Sequence, residues 1–184
     1  MKKAADNWKL APENFLPSGK SREMNLRPIG IIRTPFQKPD ECPAQGAFSE
    51  VEGAAIVEPQ YAEGLDDLEG FSHAWLLYWF HRSGPFKLKV RPMLDKTPRG
   101  LFASRAPIRP NPIGITAIRI VEIVRSRQAP IQIHFEGADM LDGTPLLDIK
   151  PYVPAFDGRD DVRVGWLEKP LKQKGVKKKF GQKK

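Results

Sequence analysis

Residues 114–137 read GITAIRIVEIVRSRQAPIQIHFEG. The first half, Gly114 to Val124, is an almost continuous β-branched run, which packs well on a pleated surface and fits a long strand. The second half alternates with period two. Ile131, Ile133 and Phe135 fall on one face, and Gln132, His134 and Glu136 on the other. That is the signature of a strand with one face in a core and one in water. Two strands this close together set the reading of the remainder.

Further strand signals lie to either side. RPIGIIRT (Arg27 to Thr34) has adjacent isoleucines framed by prolines, and GAAIVEP (Gly53 to Pro59) is closed by its own proline. FSHAWLLYWFH (Phe71 to His81) fits helix or strand by period, but its aromatic content and the flanking Gly70 and Gly84 favour a buried strand. In that strand His73 and His81 would share a face. FKLKVRP places Phe86, Leu88 and Val90 opposite Lys87, Lys89 and Arg91. After an Asp142–Gly143 turn, a last short strand ends at Pro151. Leu65 and Leu68 suit one or two helical turns between Gly64 and Gly70. About seven strands, short turns and little helix predict an all-β chain folded as one small β-barrel; closure also removes exposed edges. The expected divisions are a loosely ordered leader over 1–26, the barrel over 27–156, and a C-terminal extension over 157–184 with a disordered basic tail.

A chain of 184 residues that is 40% hydrophobic supports one core. No apolar run approaches the ~20 residues that cross a bilayer, and the charged start has no apolar stretch behind it, unlike a signal peptide. Cys42 is the single cysteine, so no disulfide framework exists. These features predict a cytoplasmic protein without a membrane partner. The net charge of +8 is uneven: Lys172 to Lys184 hold seven lysines and no acid, leaving 23 basic against 22 acidic residues elsewhere. Such a tail is either a solvated end or a flexible arm that adds salt-dependent phosphate contacts.

Dinucleotide and phosphate-loop glycine motifs are absent, as is a nucleophile elbow. His73, His81 and His134 do not have metal-ligand spacing, so no metal is expected. Cys42 has no neighbouring base and is not read as a nucleophile. Four polar motifs remain, each in a loop or at a strand end, where sites are displayed: Pro43-Ala44-Gln45, His81-Arg82, Arg105 through Gly114, and Asp139 through Pro145. In RAPIRPNP the prolines hold Arg109 and Asn111 in extended backbone before anything binds, which lowers the entropy lost on binding. Arginine suits phosphate, carboxylate or a ring face, and asparagine offers the donor and acceptor that a base edge requires. The alternative is a rigid surface turn with solvated arginines. Asp139 and Asp148, in a nearly apolar stretch, call for partners.

The segments IGIIRTPF…CPAQG, LEGFSHAWLLYWFH, GLFASRAPIRPNPIGIT and DMLDGTPLLDIKPYVP occur in this order. Together they closely resemble the TsaA-like family, also called TrmO-like or YaeB-like, from about Arg27 to about Pro154. The resemblance implies a small β-barrel methyltransferase that binds S-adenosylmethionine outside a Rossmann fold. It also implies N6-methylation of threonylcarbamoyladenosine at position 37 of tRNA, and a homodimer with the cofactor near the subunit contact. Carried over motif by motif, the cofactor residues are Pro43, Ala44, Gln45, His81, Arg82, Arg105, Ile115, Asp139, Gly143 and Thr144. Longer members of the family carry a further C-terminal domain, where this chain has a lysine tail; that difference bears on the acceptor more than on the cofactor.

Methyl transfer from a sulfonium is a direct displacement that needs alignment at about 3 to 3.5 Å, and a base can help to remove the proton from a nitrogen acceptor. His81, Asp139 and Asp142 are unranked candidates for that base. Arg109 and Asn111 are assigned to the nucleic-acid side. Two other readings stay open: a methyltransferase of this fold with a different acceptor, and a non-enzymatic RNA-binding barrel. The second needs exposed aromatics for stacking, with Trp75, Tyr78 and Trp79 as the candidates.

Overall fold

The computed structural model describes residues 25–126 and 129–173. The expected leader, apart from its last two residues, and the lysine run from residue 174 onward lie outside the described residues.

Six strands close into an all-antiparallel barrel: β1 (Gly30–Arg33), β2 (Glu52–Val57), β3 (His73–Trp79), β6 (Ile113–Val124), β7 (Ile131–Glu136) and β8 (Thr144–Pro151). Their order round the barrel is β1-β2-β7-β6-β3-β8, and β8 closes on β1 with Gly30 opposite Leu146. The segment 114–137 forms the β6–β7 pair, with Ile120 opposite Phe135 and Ile123 opposite Ile133. The first part of β6 pairs with β3 and its last part with β7. The β6–β7 register shifts between Ile120 and Glu122, and the bulge leaves Val121 exposed.

The alternation read from β7 holds: Ile131, Ile133 and Phe135 are buried. They meet Ile32, Val57, Leu76, Ile118 and Leu146 from the other barrel strands. Full burial of each such side chain contributes roughly 1.5–3 kcal/mol. Leu65 and Leu68, at the ends of two 3-10 turns (Pro59–Leu65 and Leu68–Gly70), extend this core at one end of the barrel.

The seventh strand signal stands outside the barrel. Only Lys89–Val90 of FKLKVRP is extended (β4), and it pairs with Arg99–Gly100 (β5) as a separate two-stranded ribbon. Val90 is buried, whereas Phe86 and Leu88 are 55% and 64% exposed. The period-two pattern was therefore that of a ribbon without a packed face. β3 ends at Trp79, so His81 lies in the turn after it and does not share a strand face with His73. His73 Nδ1 instead meets the Ser72 hydroxyl at 2.9 Å. After β8 come a single helical turn, α1 (Pro154–Asp157), a 3-10 turn (Gly165–Leu167) and α2 (Glu168–Gln173).

Strand direction decides where the loops gather. β1, β3 and β7 run one way and their neighbours the other, so the connections 34–51, 80–112 and 137–143 all emerge at one end of the barrel. The four polar motifs lie in or next to those three connections.

Candidate active site

A cavity of about 170 Å3 opens among these connections. Asp139 lines it and anchors a polar network. The backbone N–H of Gly46 donates to Asp139 Oδ2 at 2.6 Å, and the Thr116 hydroxyl donates to Oδ1 at 2.7 Å. The Tyr78 hydroxyl bonds Thr116 Oγ1 at 3.1 Å and reaches Asp139 Oδ1 at 3.5 Å. Each of the three connections or the strand ends beside them supplies a member. Thr116 is an inward position of β6, Tyr78 an inward position of β3, and Gly46 opens the 3-10 turn Gly46–Phe48 after Gln45. The Gly46 N–H can approach so closely because glycine has no Cβ; one at that residue would sit 2.4 Å from the Gly137 carbonyl oxygen and 2.6 Å from a Thr116 methyl.

Burial raises the Asp139 carboxyl above its ordinary value, against the opposing pull of bonds from Thr116, Gly46 and Tyr78 and of the Arg105 charge. Burial, reinforced by Asp139, pushes the Tyr78 phenol well above its ordinary range, so it stays a protonated donor. Burial also pushes the Cys42 thiol up to about 11, with Asp139, Glu41 and Asp40 adding to the shift. A thiol held protonated agrees with the reading that Cys42 is not a nucleophile.

At the rim, Arg105 Nη1 donates to Gln45 Oε1 at 2.7 Å, while Gln45 Nε2 donates to the Ala44 carbonyl at 2.6 Å. This joins the Pro43-Ala44-Gln45 loop to the proline-stiffened segment. Ile113 and Ile115 line the same cavity with Phe80, and both isoleucines are partly exposed. The cavity thus joins an exposed cation, an apolar wall and a buried carboxylate.

The other expected residues occupy distinct places. Arg109 lines the cavity, but its guanidinium folds back on its own loop, donating to the Ser104 carbonyl at 3.1 Å and lying 5.6 Å over the Phe102 ring. Asn111 is exposed, and its carbonyl accepts from the Ile113 N–H at 2.8 Å. His81 is half-buried in the turn after β3, and Arg82 ties that turn to the 34–51 connection through the Gln37 carbonyl at 3.0 Å. Neither lines the cavity. Asp142 accepts from the Thr34 N–H at 3.2 Å and pairs with Arg33 at 2.8 Å. Gly143, at φ +75°, donates to the Ile32 carbonyl at 2.9 Å, and Thr144 Oγ1 donates to the Leu141 carbonyl at 2.7 Å. These three therefore brace the turn into β8. That turn joins strands that are not neighbours, so it is no hairpin. Asp148, also expected to have a partner, takes the Ile149 N–H and Lys150.

Thr116, Tyr78 and Gly46 were missed as site residues. The available signal was Thr116, a hydroxyl at an inward position of an otherwise β-branched apolar strand, which implies a buried partner.

The sequence model of the tRNA-methyltransferase O N-terminal domain matches residues 31–158. A Pyrococcus abyssi protein described as a probable S-adenosyl-L-methionine-binding protein is 52% identical over 144 residues, which cover 78% of this chain and 76% of that one. The Escherichia coli tRNA (adenine(37)-N6)-methyltransferase is 33% identical over 147 residues, covering 76% of this chain and 62% of that one. A crystal structure of TrmO from Pseudomonas aeruginosa superposes with a TM-score of 0.64 at 35% identity, covering 78% of this chain and 62% of that one. The chain thus spans about three quarters of the archaeal relative and less than two thirds of the two bacterial ones. By the length of the domain match, the barrel and these identities, the chain belongs to the TrmO family.

Proposed function

We propose that this chain is an S-adenosylmethionine-dependent tRNA (adenine-N6)-methyltransferase, acting on threonylcarbamoyladenosine at position 37. The observation that carries the reading is one cavity holding Arg105, the Ile113–Ile115 wall and Asp139 in a family of this description. The residues fit the cofactor's chemistry. Arg105 supplies a cation for its carboxylate, Gln45 supplies an acceptor for a hydroxyl or amino group, and Ile113, Ile115 and Phe80 supply apolar surface for its ring. S-adenosylmethionine, when bound, supplies a sulfonium methyl that the acceptor nitrogen displaces, the C–S electron pair leaving with sulfur.

The nitrogen gives up a proton in the course of methylation, and a nearby base can take it. Of the three candidate bases, Asp139 faces the cavity, Asp142 is engaged with Arg33 and Thr34, and His81 lies outside the lining. Asp139 therefore ranks first. Burial raises the Asp139 carboxyl, so its carboxylate accepts a proton more readily than an ordinary one. Thr116 and Gly46 hold it in one orientation. A homodimer in the cytoplasm is part of the same reading. No helix among the described residues is long and apolar enough to cross a membrane.

The test is transfer of radiolabelled methyl to tRNA with and without the threonylcarbamoyl group. Transfer that requires the group supports the full proposal. Transfer to both tRNAs points to a plain adenine acceptor, and transfer to neither, with cofactor bound, points to a different acceptor.

A further inference from the structure

The nearly neutral body hides a strong division of charge. The 80–112 connection between β3 and β6 contains eight basic residues and one acid, whereas the rest of residues 1–171 contains 15 basic and 21 acidic residues. The single acid, Asp95, is taken up by Arg99 at 2.6 Å. Lys87, Lys89, Arg91 and Lys96 are exposed and have no ion pair among the described residues. The excess is therefore not confined to the tail: a cationic lobe sits on an acidic barrel, at the end that carries the cavity.

The same lobe exposes aromatic and apolar side chains. Phe86 is 55% exposed, Met93 76% and Phe102 73%. The three aromatics named from sequence as stacking candidates differ from these: Tyr78 is buried, Trp75 packs edge-on against Tyr152, and only Trp79 is substantially exposed. Basic residues interleaved with exposed rings fit a polyanion with unpaired bases, since phosphates take the cations and base faces take the rings. The lobe also reaches the cavity directly, because Arg105 and Arg109 belong to both. The C-terminal extension is fastened to it, with Trp166 Nε1 donating to the Ala103 carbonyl at 2.7 Å and the Trp166 ring 5.5 Å from the Arg99 guanidinium.

We infer that the 80–112 lobe is the acceptor-holding surface, with Lys87 and Lys89 on phosphates and Phe86 under an unpaired base of a single-stranded RNA loop. This rests on the proposed function and adds the residues that hold its acceptor.

The test measures binding of the full chain to a labelled RNA hairpin with an unpaired purine-containing loop, and to a blunt RNA duplex, across a salt series. Wild type should prefer the hairpin. Lys87→Gln with Lys89→Gln should flatten the log–log salt slope by about 1.4, at ~0.7 for each single-strand phosphate contact. Phe86→Ala should weaken the hairpin roughly fivefold or more and leave the duplex unchanged. Titration with S-adenosylhomocysteine should be unaffected by either change, which separates loss of the lobe from loss of the cofactor site. The inference is overturned if all variants bind hairpin as wild type does. It is also overturned if Phe86→Ala dissociates a dimer without altering RNA affinity, which would make the lobe an interface between copies.

Discussion

Replacing Asp139 by Asn or by Ala should separate the two things that its carboxylate does. An alanine leaves the Gly46 N–H with no acceptor and removes the 2.7 Å bond from Thr116, whose hydroxyl can still turn to Tyr78. One orphaned buried donor and one lost charge-assisted bond cost about 2–4 kcal/mol together. At 2–4 °C per kcal/mol for a domain of this size, the melting temperature falls by about 5–15 °C. Asparagine can keep its oxygen on the Gly46 N–H and turn its amide toward Thr116, whose hydroxyl reverses to accept. Its loss should be about 1 kcal/mol or less at neutral pH, because the desolvation that opposes the ionised carboxylate is also removed. The folded Asp139 is raised above its unfolded value. Between the two values the folded chain binds more protons than the unfolded one, so wild-type stability falls as pH rises through that window. The Asn variant lacks that slope and should gain on wild type from pH ~4 upward. Thermal melts of the three proteins at several pH values measure this. Equal losses for Asn and Ala, or an unchanged wild-type-to-Asn difference across pH, would refute the network as described.

Gly114→Ala should destabilise by about 1–3 kcal/mol, since its Cβ would fall 2.2–2.8 Å from three atoms of the Tyr78 ring; the denaturant midpoint reads this directly. Cys42 should react slowly with a thiol-specific reagent at pH 8 and accelerate only towards about 11, and Asp139→Asn should lower that midpoint, since Asp139 contributes to it. Asp142→Asn should leave the methyl-transfer rate near wild type while Asp139→Asn reduces it at least tenfold; a reversed order in single-turnover assays would exchange the roles of the two carboxylates.

The barrel strands were legible because each carries its own signal. β7 alternates with period two, β6 is β-branched, and β1 and β2 are bounded by proline. The same period misled at Phe86–Arg91, because alternation records two unlike faces and not whether either face is covered. The loop motifs were legible as polar residues framed by proline and glycine. Which of them converge was not, since strand order decides that, and strand order depends on pairings such as Ile32 with Ala55 and with Thr144. Asp139 and Asp142 looked alike in sequence. They differ because one meets Gly46 and Thr116, and the other meets Arg33 and Thr34. Net charge misled in a similar way, because a body with 23 basic and 22 acidic residues gives no hint that eight of the basic ones share one connection.

The cavity around Arg105 and Asp139 as a cofactor site is tested most directly by calorimetric titration with S-adenosylmethionine and S-adenosylhomocysteine, using wild type and Arg105→Ala in parallel. Arg105 is exposed and holds only Gln45 among the described residues, so its removal should change stability by no more than about 0.5 kcal/mol. Loss of a charge-assisted contact to the ligand should weaken affinity roughly tenfold or more. Micromolar binding weakened by the substitution, with the melting temperature unchanged, is the predicted result. No binding by wild type, or equal binding by both proteins, would contradict it.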